Sequence, residues 1–351
     1  MNHINTAPFK RRTVLALMAA SALAGVSRSV LAQQLEGPLT IQSQGGTTEK
    51  TYNEKVYAPF TAETGVQVNS VAIVSEEALA RMIAEAAAPS IDLYQFTGGQ
   101  ELEAKSRGLT QSVGDLGGAN VPKQFVDPHG QWVGIGTVAS GILYNTKYIT
   151  TPPTSFKDFL KPEYAEHVGL AAFTNAKGID FLVMLSKAFG GSETDTDAGM
   201  EKIGELLKNG AKVFSVASEM KTLFAQEEIW MAYYDVANAL NAVDQGLPIG
   251  FAAPSEGMSV QVFTNVIAKN STKGDAARAA IAAALKPDSQ AAVSSALGWF
   301  PVNADVSLPS EVAERLGLQN VSVDNLVVLD RAKMNERKAE WLDAFNALAA
   351  R

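Results

Sequence analysis

Between Leu39 and Phe96 the chain alternates apolar runs of strand length with stretches of helical periodicity: "LTIQS", "KTYNEKVYAPFTAET", "VQVNSVAI", "SEEALARMIAEAAA" and "IDLYQF". Two strands that point the same way need a crossover long enough to hold a helix, so this βαβαβ order predicts a largely parallel sheet with helices on its faces. In such a sheet the strand-to-helix turns gather at the carboxyl ends of the strands, and ligands bind there. The first of these turns is Gln44-Gly45-Gly46-Thr47. Two roles stay open for its glycines: tight turn chemistry, or backbone donors offered to a ligand.

A second alternation follows. "GQWVGIGTVASGILYNT" holds two strand-like runs broken by glycines, and "TPPTSFKDFL" opens a helix at Thr154 or Ser155. Further on, "EHVGLAAF", "AKVFS" and "IWMAYY" are strands separated by helical stretches, and "PIGFAAPSEGMSVQVFTNVIAK" supplies two more strands before Ala- and Leu-rich helices close the chain. There is no internal repeat and no low-complexity linker. The expected organisation is therefore two lobes joined by strands that cross near Gly136 to Gly141 and return near Ser259 to Val266: residues 33–138 plus 262–351, and residues 139–261. Lobes joined in this way can close over a ligand.

The first 32 residues are excluded from the fold. Arg11 and Arg12 precede a modestly apolar run that ends in Val30-Leu31-Ala32, the pattern of a cleaved export signal of the twin-arginine kind. The run is shorter than the roughly 20 residues a membrane span needs, and Arg28 interrupts it. Export predicts a periplasmic protein, yet the chain has no cysteine, so its stability comes from burial alone. The net charge is −8; without Lys10, Arg11, Arg12 and Arg28 it becomes −12. A chain this acidic is a poor partner for nucleic acid and is better suited to neutral or cationic small molecules.

The segments "SQGGTTEKTYNEKVYAPFTAETGVQV", "IDLYQFTGGQELEAKSRGL", "GILYNTKYITTPPTSFKDFLKPEYAEHVGL", "LSKAFGG", "GLPIGFAAPSEGM" and "LGWFPVNADV" occur in an order that resembles the periplasmic solute-binding proteins of ABC importers, in the spermidine/putrescine-binding-like branch of the family 1 extracellular solute-binding proteins. The resemblance implies an α/β fold of the type II periplasmic binding protein class, two-lobed, with a ligand cleft between the lobes. It implies a monomer that needs no cofactor and delivers a small solute to an inner-membrane permease. It also places Gln44, Gly45, Gly46 and Thr47 at the cleft, although many relatives have an aromatic residue where this chain has Gln44.

Several further residues fall at strand ends that the resemblance puts in the cleft. Asp235, where "IWMAYY" runs into a helix, is either the partner of a ligand ammonium or an N-cap for that helix. Some relatives carry a Gly-Arg pair near this point; Asp235-Val236 favours an amine over an acid, so a polyamine or an amino-bearing zwitterion is the expected ligand class. Glu256 is a second amine partner or a solvated acid. Phe96 walls the cleft or packs in the core. Thr174 and Asn175 sit in another strand-to-helix turn, where Asp180 is expected to compensate the helix dipole. Adjacent Tyr233 and Tyr234 also occur in ferric-binding relatives, where phenolates are hard oxygen ligands; alternation along a strand instead makes one core and the other cleft wall. No metal site is expected, since only His129 and His167 remain in the mature chain. Without a thiol, a Walker loop or a histidine pair at metal spacing, an exported hydrolase is the weaker alternative; a sugar, an organophosphonate or ferric ion are alternative cargoes.

Overall fold

The computed structural model describes residues 35–350 apart from 308, 317–320 and 322; the expected export segment lies outside the described residues. Strand β1 (Leu39–Ser43) turns through Gly45 (φ 75°) and Gly46 (φ 57°), left-handed values that a side chain would strain, into helix α1 (Gly46–Tyr52). A π-helical stretch (Asn53–Tyr57) joins α1 to α2 (Ala58–Thr64), and Tyr52, Val56 and Phe60 bury one face of this rod. Strand β2 (Val68–Ala72), helix α3 (Ser75–Ala84), strand β3 (Leu93–Phe96), helix α4 (Gln100–Ser106) and strand β4 (Thr110–Gln111) complete the first alternation.

The glycines of the next segment do not break it. Val133–Asn145 is one strand, β5, buried along its whole length. The reason is close approach: a Cβ on Gly136 would stand 2.8 Å from the Trp299 ring, so glycine at this point makes room for a large neighbour rather than ending the strand. After a short 3₁₀ helix (Phe156–Leu160) come β6 (Val168–Ala171), α5 (Ala176–Ala188), α6 (Asp197–Lys208), β7 (Lys212–Phe214), α7 (Ala217–Ala225), β8 (Met231–Asp235), α8 (Val236–Asp244) and β9 (Ile249–Ala252). The long strand β10 (Met258–Ala268) returns, followed by α9 (Gly274–Leu285), α10 (Pro287–Leu297), α11 (Ser310–Leu316), β11 (Leu326–Val328) and α12 (Arg331–Ala349).

All described strands belong to one mixed sheet with the main order β2-β1-β3-β10-β5-β8-β6-β7. Parallel wings β2-β1-β3 and β8-β6-β7 stand at its two ends. Between them β10 and β5 run antiparallel, with Ser259 opposite Ser140 and a register shift at Phe263/Thr264. The predicted crossing strands are thus neighbours, and within the sheet this pair joins the two wings.

The end of the chain departs from the expected boundary. Residues 262–351 were assigned to the first wing's lobe, but α12 packs on the second wing: Leu329, Met334, Trp341 and Phe345 join the cluster formed by Phe173, Ile203 and Leu206, and the Phe345 ring stacks on Phe173 at 4.3 Å. Strand β11 directs it there by pairing in parallel with Met258–Val260, the start of β10. No helix among the described residues is long and apolar enough to cross a membrane.

Candidate functional site

The side chains at the strand ends form two groups. On the second wing, Asn175 caps α5, its Oδ1 accepting from Lys177 N at 2.9 Å, while its Nδ2 donates to Ser215 O at 3.0 Å and to Tyr234 Oη at 3.4 Å. The cap directs Lys177 back over the sheet. Its Nζ donates to Ser140 Oγ at 2.8 Å and lies 3.7 Å from Asp235 Oδ2. Asp235 caps α8 by accepting from Asn238 N at 2.9 Å, and Asn238 Nδ2 occupies both of its oxygens. Its charge is therefore already met by Lys177, a residue that the strand-to-helix pattern "FTNAKGIDF" placed at the turn without marking it out. Of the two roles expected of Asp235, the structure shows the cap, with Lys177 as an internal counter-charge that an amine ligand would have to displace or share.

The two tyrosines diverge, as alternation requires. Tyr233 is 2% exposed, packs on Phe156 and Phe181, and hydrogen-bonds the Ser259 hydroxyl. Burial, and then the nearby Asp180 charge, push its phenol far above the ordinary tyrosine range. Tyr234 faces the other cluster beside Phe214, and burial raises its pKa as well. Neither phenol is set up to ionise. Among the described residues no group of three or more His, Cys, Asp or Glu is arranged to hold a metal ion.

Three other expectations change. Phe96 is fully buried and stacks on Tyr94, so it is core rather than wall. Glu256 accepts from Ser155 Oγ and from Phe156 N at 3.3 Å, which makes it a tie for the Phe156–Leu160 helix instead of an amine partner. Asp180, expected to act on the helix dipole, is 2% exposed and grips the Arg331 guanidinium with both oxygens, joining α5 to the first residue of α12. Thr174 stays exposed in its turn.

The second group begins at Gln44. Its Nε2 donates to Gln95 O at 2.8 Å and to Ser75 Oγ at 3.0 Å, and Ser75 Oγ lies 3.3 Å from Thr97 Oγ1. Gln261 of β10 donates to Thr97 O at 2.7 Å. Gly45 N is taken by Ser43 Oγ at 3.2 Å, which leaves Gly46 and Thr47 as the exposed part of the first turn. This polar string leads into a cavity of about 130 Å³. Its walls come from the β3–α4 turn, from β10 and from the β11–α12 junction, so both wings and the strand between them contribute. None of the eleven expected site residues lines it; its polar groups are Thr97, Glu101, Gln124, Gln261, Thr264 and the Asp330–Arg331 pair. The "GGQELE" sequence after β3 carried the only clue to Glu101: an acid in the first turn of a helix that starts at a strand's carboxyl end.

A model of the bacterial extracellular solute-binding proteins matches residues 55–319. The chain belongs to that family. An extracellular solute-binding protein from Bordetella parapertussis superposes with a TM-score of 0.80 at 21% identity, over 88% of this chain and 98% of that one. The spermidine/putrescine ABC transporter substrate-binding protein of Streptococcus pneumoniae gives 0.71 at 20% identity, over 89% and 99%. At these identities the likeness is one of fold, the mixed α/β fold of periplasmic binding proteins. The iron uptake protein A1 of Synechocystis is 28% identical over 152 residues, which span 42% of each chain. The family and its structural neighbours are binding proteins, and this chain is one as well, not an enzyme.

Proposed function

We propose that this chain is the solute-binding component of an ABC importer. It captures a small polar solute outside the cytoplasm, in the cavity between its two wings, and presents the closed form to an inner-membrane permease. The observation that carries this reading is the cavity's construction: one wall from the β3–α4 turn, another from the β11–α12 junction, and the strand β10 between them. A solute touching both walls favours the closed arrangement by whatever affinity it gains there, and that differential is what couples occupancy to shape. In this reading the lobes are residues 35–138 with 262–316, and residues 139–261 with 326–350, the protein acts as a monomer, and the leading segment is a cleaved twin-arginine signal.

The iron named for the Synechocystis relative is the second reading. The buried phenols of Tyr233 and Tyr234 weigh against it, since a ferric ion is best held by ionised oxygens. A thermal-unfolding screen against polyamines, monoamines, amino acids, aminophosphonates, sugars and ferric citrate tests the proposal. A true ligand at about 100 times its dissociation constant stabilises by roughly 2.7 kcal/mol, a shift of several degrees. No response to any class would defeat the binding role at this cavity.

A further inference from the structure

Glu101 presents a partly buried carboxyl that no neighbouring cation neutralises. Its carboxylate accepts from backbone N–H groups at the start of α4, and Thr264 Oγ1 lies 3.5 Å from Oε2. No lysine, arginine or histidine among the described residues pairs with it, and burial is the first cause of its raised pKa. The charged groups nearby are occupied elsewhere. Arg331, across the cavity, is held by Asp180; Asp330 is held by Lys333 at 3.0 Å; Glu103, on Glu101's own helix, pairs outward with Arg107 at 2.8 Å. A carboxylate partly withdrawn from water without a counter-charge is disfavoured, and a ligand cation or a proton relieves it. The rest of the lining is mixed: Trp132, Leu102, Val260 and Val262 supply apolar surface, and Thr97, Gln124, Gln261 and Arg331 border the same space.

The geometry points to a compact aliphatic ammonium ion as the occupant, its charge against Glu101 and its hydrocarbon body against Trp132 and the valines. This deepens the solute-binding reading and rests on it. An indole ring and a partly desolvated carboxylate in one cavity suit an ammonium with a hydrocarbon body. A volume of about 130 Å³ is enough for an ammonium group with a short alkyl body.

The test is calorimetric titration of the purified chain with n-butylammonium chloride and with n-butanol, at pH 8 and pH 5, together with Glu101→Gln and Glu101→Asp. The expected result is binding of the ammonium at least tenfold tighter than of the alcohol. Affinity should fall toward pH 5, because the Glu101 carboxyl takes up a proton while the amine, with a pKa near about 10, stays charged. Glu101→Gln should lose at least tenfold and its pH dependence; Glu101→Asp, which keeps the charge, should retain binding within a few-fold. Equal affinity of wild type and Glu101→Gln for n-butylammonium overturns the assignment, as does equal affinity for the alcohol. If neither probe binds while a sugar, an amino acid or ferric citrate raises the melting temperature, this inference fails and the solute-binding reading stands. If nothing in the panel binds, both fail.

Discussion

Asp235 shows how one side chain's role depends on a neighbour 58 positions away in sequence. With Lys177 beside it, its carboxylate is a helix cap and an internal counter-charge. Asn is as good an N-cap as Asp, so Asp235→Asn should keep α8 and change the affinity for an amine ligand by less than twofold. Asp235→Ala removes the cap and leaves Lys177 without its partner, and should cost about 1 to 2 kcal/mol in denaturant unfolding. Glu101 is the opposite case. A carboxyl whose folded pKa lies above its unfolded value destabilises the fold once pH exceeds the unfolded value of about 4.3, increasingly so until the folded pKa is passed. Ligand-free Glu101→Gln should therefore melt higher than wild type at pH 8, with the difference vanishing near pH 4. Equal melting temperatures at pH 8 would mean that the carboxylate is well solvated.

Helix α12 reaches the second wing because β11 pairs with the start of β10, and two kinds of contact hold it there. Phe345 and Trp341 bury large apolar surfaces among residues of the second wing, each contributing roughly 2 to 3 kcal/mol. The Arg331–Asp180 pair adds a bidentate link at the helix's first residue, next to the cavity. Arg331→Met leaves Asp180 buried and unpaired, and should destabilise the protein by about 3 kcal/mol. The double variant Arg331→Met with Asp180→Asn should recover most of that loss, since the cost lies in the orphaned charge rather than in the missing attraction. A double variant no more stable than the single one would show that the link itself holds α12 in place.

For the whole molecule the decisive feature is that β5 and β10 are the only described connection within the sheet between the two parallel wings. In the proposed reading, closure over a ligand bends this antiparallel pair, and small-angle scattering should record a smaller radius of gyration when a stabilising ligand from the screen is present. An unchanged radius at saturation would argue for a site that does not span the wings. The acid limb of stability is also a property of the whole chain. Burial pushes the Asp127 carboxyl up, but Lys105 and the amides of Gln131 and His129 outweigh it and hold its pKa low; burial likewise opposes, and Lys161 with two backbone amides outweighs, at Asp158. Depressed carboxyls contribute stability that is complete above about pH 4 and lost as pH falls through their folded values. Unfolding midpoints should drop as pH falls below about 4, with a smaller drop in Asp127→Asn.

Much of this architecture was written in local patterns. Alternating apolar runs, glycine punctuation and capping residues such as Ser155, Asn175 and Asp235 act over a few residues, so the element order, the crossing strands and the family could be recognised from the chain alone. Where the pattern misled, the cause was a distant neighbour. Trp299 turned the glycines of β5 from breaks into a fit, and Arg331 turned Asp180 from a dipole partner into an ion-pair anchor. The proposed binding cavity was harder still to foresee. Glu101, Gln261 and Arg331 are ordinary residues at ordinary positions, and they share a cavity only because β3 and β11 end beside Val260–Thr264 of β10. Periodicity and caps are short-range physics and stand in the sequence; which charge finds a counter-charge is long-range and exists only once the chain has folded.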